Sequence, residues 1–169
     1  PIDFARLAQI GSEGVLLMMA DSTNVLRQGY TASERVVGKT LGNIFRGCNS
    51  RIIIATFSSN VHRIQKIVDL AKECGRKVAV SGRSMVNVVE LATELGYMKI
   101  PANMLVDLNK AKNVPDKEMV IITTGSQGEP MSALARMASS EHKAIKIKRG
   151  DRVILSSSPV PGNELTVAN

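Results

Sequence analysis

Five short apolar runs each end at a small polar turn, and this recurrence constrains the fold of the chain more than any other feature. The runs occupy residues 15–20, 52–57, 78–80, 120–122 and 153–155, and Ser, Thr, Asn, Asp or Gly residues follow each one. Runs that are apolar at every position predict strands buried on both faces, as in a parallel sheet covered by helices. Ligands of such sheets bind beyond the carboxyl ends of the strands, so the polar turns are the candidate sites.

Segments with helical periodicity separate these runs. Thr31 and Glu34 have capping-box spacing before a helix that we expect to end near Cys48. Three more helices are predicted at residues 61–74, 85–95 and 132–139. The alternation of strand and helix predicts an α/β fold, with a doubly wound, largely parallel sheet flanked by helices.

Two further segments are short or alternating. Residues 104–106 predict a short strand, and residues 143–148 alternate Lys with apolar residues in the manner of an edge strand. Lysines on an edge strand face water and discourage pairing with another edge, and we favour this interpretation over a nucleic-acid contact.

Composition narrows the classes of function. With 169 residues, 44% hydrophobic and only 3% aromatic with no Trp, the chain suits one aliphatic domain and lacks the aromatic platforms that stack single-stranded bases. The net charge of +7 raises the expectation of a polyanionic partner. Cys48 and Cys74 have no Cys-x-x-Cys spacing and are expected to be reduced structural thiols. No membrane span or signal segment is evident, so we expect a cytoplasmic protein. The absence of an initial Met suggests a piece of a longer chain.

Familiar ligand motifs are incomplete. Gly38-Lys39-Thr40 lacks the glycine and the strand that precede them in a P-loop, and the Gly125–Gly128 turn lacks dinucleotide-binding spacing. His62 and His142 have no companions at metal-ligand spacing, which favours a surface or helix-end position for each.

Residues 58–60 are the most informative turn. Ser58, Ser59 and Asn60 stand between a strand and a helix, where hydroxyls and free N–H groups bind an anion or simply cap the helix. Both interpretations stay open. Arg63 in the first helical turn opposes the helix dipole unless an anion or a carboxylate lies nearby, which favours a ligand slightly.

Two carboxylates follow apolar runs or turns. Asp21 directly follows residues 15–20, and its charge needs a partner such as a His, a metal site or a local Asx-turn. Glu129 lies in a glycine-flanked turn, where a solvent-exposed turn role is favoured over that of a catalytic acid.

The turn motifs as a set resemble those of the bacterial ribonuclease J family across essentially the whole chain. They are Ala20-Asp21-Ser22-Thr23-Asn24, Gly29-Tyr30-Thr31, Ser33-Glu34-Arg35, Ala55-Thr56-Phe57, Ser59-Asn60-Val61-His62-Arg63, Gly82-Arg83-Ser84-Met85, Thr124-Gly125-Ser126-Gln127-Gly128-Glu129-Pro130, Ser156-Ser157-Ser158-Pro159 and Pro161-Gly162-Asn163-Glu164. Enzymes of that family belong to the metallo-β-lactamase superfamily and carry an inserted β-CASP domain that helps to hold RNA.

The resemblance implies a division of the chain and roles for four residues. Residues 1–20 would end the metallo-β-lactamase portion and lead into the first strand, and residues 21–169 would form the β-CASP domain, cut before its second His motif. Asp21 would be catalytic, assisting proton transfer, and Ser59 and Asn60, with Ser58, would cradle the 5′-phosphate of RNA. Zinc would serve the full-length enzyme, with no zinc ligand in this chain.

The resemblance further implies a zinc-dependent exo- and endoribonuclease of RNA processing and decay. The full-length protein would be a homo-oligomer or pair with a paralogue, without a membrane, and the isolated chain would be inactive. The alternatives are a self-contained nucleotide-binding α/β regulatory module, and a folded fragment with no measurable affinity. Binding of a mononucleotide would favour the module, and salt-sensitive binding of 5′-phosphorylated oligonucleotides would favour the RNA clamp.

Overall fold

The computed structural model describes residues 2–22, 25–26, 28–31 and 33–168. The chain forms two compact units, Pro1–Ala32 and Ser33–Asn169. The division that we predict from the resemblance, at residues 20 and 21, stays a prediction.

The first unit contains one helix, α1 (Phe4–Glu13), and no strand in its described part. Asp3 caps α1 by accepting a hydrogen bond of 2.9 Å from the backbone N–H of Arg6. Residues 15–20 are exposed and have no strand assignment, so the predicted first strand is wrong for this structure. An apolar run becomes a strand only when a neighbour supplies ladder hydrogen bonds, and no described strand pairs with this run.

The second unit carries the sheet. Its strands are β1 (Ile52–Ala55), β2 (Lys77–Ser81), β3 (Met119–Thr123) and β4 (Arg152–Leu155). Its helices are α2 (Glu34–Gly47), α3 (Val61–Glu73), α4 (Arg83–Glu94), α5 (Ala133–Ala138) and α6 (Glu164–Ala168), with two 3-10 helices at Leu108–Asn113 and Asp116–Glu118.

The four strands are ordered β2-β3-β1-β4 and every pairing is parallel. Ile53 is level with Ile121 on one side and with Val153 on the other. This sheet confirms the predicted α/β class and four of the five predicted strands. The predicted helices at 61–74, 85–95 and 132–139 are confirmed as α3, α4 and α5 to within two residues at each end.

A hydrophobic core lies on each face of the sheet because successive strand residues point to opposite faces. One core joins Ile52, Ile54, Val120 and Ile122 to the apolar sides of α2, α3 and α4. The other joins Ile53, Met119 and Ile121 to α5, to the first 3-10 helix and to residues 144–147. Burial on both faces explains why β1 and the run 120–122 of β3 are apolar at every position. The same prediction is wrong for β4, an edge strand in which Val153 and Leu155 are 41% and 42% exposed.

Three local details differ from the sequence prediction. Ser33, not Thr31, caps α2, accepting a hydrogen bond of 3.1 Å from the backbone N–H of Arg35. Residues 104–106 make a single parallel bridge, between Leu105 and Val78.

Residues 143–148 form no strand. Their lysines are exposed and Ile145 is buried, as predicted. However, side chains take their backbone hydrogen bonds: the Nδ1 atom of His142 accepts from the N–H groups of Ala144 and Ile145, and Lys146 O accepts from Arg51.

Candidate functional site

The polar turns after β1, β2, β3 and β4 lie at one edge of the sheet because parallel strands end on the same side. This confirms the predicted rim for the four turns of the second unit. The fifth turn belongs to the first unit, where Thr23 and Asn24 lie outside the described residues. Asp21 is described there as exposed.

Neighbouring turns of the rim are in contact. Gly82 follows β2 with a φ of 101°, and a Cβ atom at that position would collide with the side chain of Thr124, which follows β3. The backbone N–H of Ser156, after β4, donates to Ala55 O at 2.8 Å. The rim is therefore continuous across the sheet.

The β1–α3 turn combines a capped helix with unused donors. The Oδ1 atom of Asn60 accepts from the N–H of Arg63 at 3.1 Å, so Asn60 is the N-cap. Ser59 is exposed and Ser58 is half-buried. Within the described part of the chain, neither serine hydroxyl makes a hydrogen bond, and nothing accepts from the backbone N–H groups of Ser59 and His62. Capping alone leaves these donors free for an anion.

Arg63 is held by a carboxylate of the protein. It makes a two-point salt bridge with Glu34, in which Nε lies 3.1 Å from Oε2 and Nη2 contacts Oε1. Its Nη1 atom donates to Ser156 O at 2.5 Å. Glu34 therefore compensates the cation at the start of α3, and Arg63 is no argument for a ligand.

The same contacts set the charge of Glu34. Hydrogen bonds from Arg63 hold the pKa of this carboxyl below its ordinary value of 4.5; partial burial opposes the shift, while the charge of Arg63 and a hydrogen bond from Asn60 support it. Glu34, Asn60 and Arg63 thus connect the starts of α2 and α3 with the turn after β4. These contacts, with the cap at Asn60, hold the turn at residues 58–60 in place.

Gln127 joins the turns after β3 and β4, and the sequence reading did not single it out. Its side chain is only 4% exposed. Its Nε2 atom donates to Ser157 Oγ and Ser158 O at 3.2 and 3.1 Å, and its Oε1 atom accepts from the N–H of Val160 at 2.7 Å. Glu129 is exposed and accepts from the N–H of Gln127 at 3.1 Å, which is the favoured turn role.

His142 is 7% exposed, so the predicted surface position is wrong for this residue. It does lie at a helix end, because its backbone N–H donates to Arg136 O in the last turn of α5 at 2.9 Å. Its Nε2 atom lies 3.1 Å from Ser81 Oγ. Because Nδ1 accepts two backbone hydrogen bonds, the ring proton is on Nε2 and is donated to Ser81. A general base needs the opposite polarity, so this pair is structural rather than nucleophilic. His62, in contrast, is exposed.

The described residues contain no group of three or more His, Cys, Asp or Glu side chains that could hold a metal ion. These residues therefore do not fit a zinc site. Cys48 and Cys74 are free thiols, as expected. Gly38-Lys39-Thr40 lies within α2, not in a phosphate loop. Across the described ranges, no helix has the length and apolar character needed to cross a membrane.

Comparisons with known proteins agree with the motif resemblance. The sequence model of the family described as "Ribonuclease J, beta-CASP domain" matches residues 49–169. Ribonuclease J of Thermus thermophilus is 48% identical over 172 residues, covering 99% of this chain and 30% of the relative. Ribonuclease J of Synechocystis sp. is 46% identical over 167 residues, covering 99% and 26%.

A further relative carries the name Ribonuclease J2. Ribonuclease J2 of Bacillus subtilis is 42% identical over 163 residues, covering 96% of this chain and 29% of the relative. The chain thus spans between a quarter and a third of the length of these relatives.

Proposed function

Because this chain belongs to the ribonuclease J family, through its β-CASP domain, we propose that it is the RNA-binding portion of a longer ribonuclease that hydrolyses RNA phosphodiesters. The proposal includes exo- and endonucleolytic cleavage in RNA processing and decay, and a preference for a 5′-monophosphate. It places the protein in the cytoplasm, as a homo-oligomer or in complex with a paralogue.

The turn at residues 58–60 carries the proposal. Four donors of this turn have no acceptor among the described residues. They are the hydroxyls of Ser58 and Ser59 and the N–H groups of Ser59 and His62. They stand at the amino end of α3, a helix of 13 residues whose dipole favours an anion there. A terminal phosphate offers several acceptor oxygens and two negative charges. Ser58, Ser59 and Asn60 therefore bind the 5′-phosphate, with Asn60 chiefly positioning the turn.

Asp21 belongs to the chemistry rather than to phosphate binding. The resemblance assigns it to the carboxylate that assists proton transfer to the leaving group through a histidine outside this chain. Zinc is proposed for the longer protein only, because the described residues do not fit a metal site. The isolated chain is accordingly proposed to be inactive.

Cleavage by the full-length protein tests the proposal. Two RNAs of one sequence are compared, with a 5′-monophosphate or a 5′-hydroxyl. Ser59→Ala should lower the preference for the monophosphate about tenfold, the value of one charge-assisted hydrogen bond. Ser139→Ala is the matched control, because Ser139 is an exposed serine at the far end of α5. Unchanged preference in Ser59→Ala would remove the phosphate role.

The same assay separates Asp21 from the phosphate site. Asp21→Ala should slow the cleavage of both RNAs equally while the zinc content of the protein stays constant. Loss of zinc would instead make Asp21 a metal ligand. If the zinc-loaded full-length protein leaves 5′-monophosphorylated RNA intact, the enzyme assignment is wrong.

A further inference from the structure

A groove of about 540 Å³ runs between α2 and α3. It begins at Glu34, His62 and Arg63, where both helices start, and it reaches Arg46 and Glu73, near their ends. The end at Glu34, His62 and Arg63, called the upper end here, is therefore next to the turn at residues 58–60. Twelve helical residues separate Glu34 from Arg46, which gives the groove a length of about 18 Å.

The charge of the groove is unbalanced. Its lining includes five Arg or Lys residues, namely Arg35, Lys39, Arg46, Arg63 and Lys66, against the two carboxylates Glu34 and Glu73. Glu34 is engaged by Arg63. Among the described residues, none of the other four cations makes an ion pair. Four exposed cations without an ion pair therefore line one channel, against the single further carboxylate of Glu73.

Two buried glycines form the floor of the groove. Gly38 and Gly42 lie one turn apart on α2, and a Cβ atom at Gly38 would approach Lys66 Cε to 3.2 Å. A Cβ atom at Gly42 would approach Arg46 Nη2 to 3.1 Å. Glycine inside a helix is unfavourable, so a pair of them indicates a packing or functional reason. Here their effect is to let the side chains of Lys66 and Arg46 lie directly against the backbone of α2.

The arrangement fits a polyanionic strand more closely than a small ligand. Arg35 and Lys39 lie four residues apart on α2, about 6 Å along the helix axis, and Lys66 adds a cation on the α3 wall, so positive charges line both walls. Aromatic side chains are missing from the described lining, which leaves no platform for base stacking. The amino ends of both helices add positive potential at the upper end.

We infer that this groove binds the phosphate backbone of single-stranded RNA, irrespective of sequence, next to the 5′-phosphate turn. The inference rests on the proposed function, since the RNA is the strand whose 5′ end that turn holds. It assigns to α2 and α3 a role that the turn motifs do not indicate. Lys39 and Lys66 are its central contacts because each lies midway along one wall of the groove, Lys39 on α2 and Lys66 on α3, and Lys66 lies beside Gly38.

Binding of a 3′-fluorescein-labelled oligouridine with a 5′-hydroxyl to the full-length protein, in EDTA, tests the groove without the 5′-phosphate site. Each lost phosphate contact lowers the slope of log K against log salt by about 0.7, or about fivefold in affinity at 0.1 M salt. Lys39→Gln/Lys66→Gln should therefore bind about 25-fold more weakly, with a slope smaller by about 1.4. Gly38→Ala should also weaken binding, although it leaves the charge unchanged.

Lys112→Gln/Lys117→Gln is the matched control. It removes the same charge from two exposed lysines, one in each 3-10 helix, and the first of these helices packs on the opposite face of the sheet. If both double variants weakened binding equally, net charge alone would explain the effect and the proposed RNA binding by the groove would be wrong. Unchanged binding by Lys39→Gln/Lys66→Gln would overturn it also.

The two proposals fail separately. Loss of 5′-monophosphate preference in Ser59→Ala does not depend on the groove. Weaker binding of a 5′-hydroxyl strand in the groove variant does not depend on the phosphate turn. If an acidic protein, but no oligouridine, binds the groove, then the partner is a protein and the RNA assignment is wrong.

Discussion

At the scale of single residues, His142 shows how burial decides a protonation state. Two backbone N–H groups point at its Nδ1 atom, and protonation there would replace two hydrogen bonds with two repulsive contacts. Burial, followed by the positive charge of Arg136, lowers the pKa of His142 below its ordinary value of 6.5. The folded state therefore holds the neutral ring more strongly than the unfolded chain does.

This difference predicts a pH dependence of stability. Above pH 6.5 the ring is neutral in both states and its contribution is fully present. As the pH falls through 6.5 towards the lower folded pKa, the unfolded state binds the extra proton, so the free energy of unfolding decreases. Urea unfolding between about pH 7.5 and about pH 5 should show this loss, and His142→Gln should reduce it.

His62→Gln is the control for that measurement, because His62 is the other histidine of the chain and is exposed. His142→Gln should therefore change the pH slope more than His62→Gln does. If His142→Gln kept the full slope, then the neutral buried ring would not be its source.

At the scale of elements, local sequence signals predict the helices and buried strands well and fail where a distant partner decides. The stripe on α3 and the Asn60 cap are local, and both are confirmed. Residues 143–148 alternate as a strand does, yet Arg51, more than ninety residues earlier, takes the carbonyl of Lys146. The polar turn at residues 58–60 could be predicted from its place between a strand and a helix, and its phosphate-binding role stays a proposal. The Glu34–Arg63 salt bridge and the Gln127 network could not, because both join turns distant in sequence.

Substitution of Gln127 tests how the turns after β3 and β4 are connected. The turns after β3 and β4 share no ladder, because β1 lies between these strands, so this side chain links them directly. Gln127→Ala would leave Ser158 O and the N–H of Val160 without their partner. We expect a loss of about 2–4 kcal/mol in the free energy of unfolding.

Hydrogen exchange distinguishes a local effect from a general one in Gln127→Ala. Amides of residues 157–163 should exchange faster than in the unmodified chain, while those of β1 should follow only the global change. Gln127→Glu is a useful companion, because it keeps the size of the side chain and replaces the donating amide with a second acceptor. Uniform acceleration throughout would refute the linking role.

At the scale of the whole second unit, one buried ion pair closes the chain from β1 to β4. Arg51 donates from Nε to Asp151 Oδ1 at 3.0 Å and from Nη2 to Asp151 Oδ2 at 2.5 Å. Their side chains are only 9% and 2% exposed. Asp151 also accepts from the N–H of Lys148 at 2.9 Å. The pair thus fixes both the edge strand and the segment that covers the second core.

Buried and exposed ion pairs of this unit should differ sharply in their contribution to stability. Asp151→Asn leaves the Arg51 cation buried without a counter-ion, which should lower the free energy of unfolding by about 3–5 kcal/mol. The Lys148–Asp116 pair is the control, because its side chains are 53% and 47% exposed. Asp116→Asn should lower the free energy of unfolding by at most about 1 kcal/mol.

A double-mutant cycle separates the interaction from the isolated charge. Arg51→Met/Asp151→Asn removes the stranded cation, so it should be more stable than the sum of the single variants predicts, by about 1–3 kcal/mol. Chemical denaturation of the four proteins measures this coupling. Strict additivity would mean that the two side chains act independently, and the connection between β1 and β4 would then rest on their ladder alone. The β1–β4 ladder also holds the turn after β4 beside residues 58–60. If residues 58–60 are the phosphate site, the same variants should therefore reduce the preference for 5′-monophosphorylated RNA.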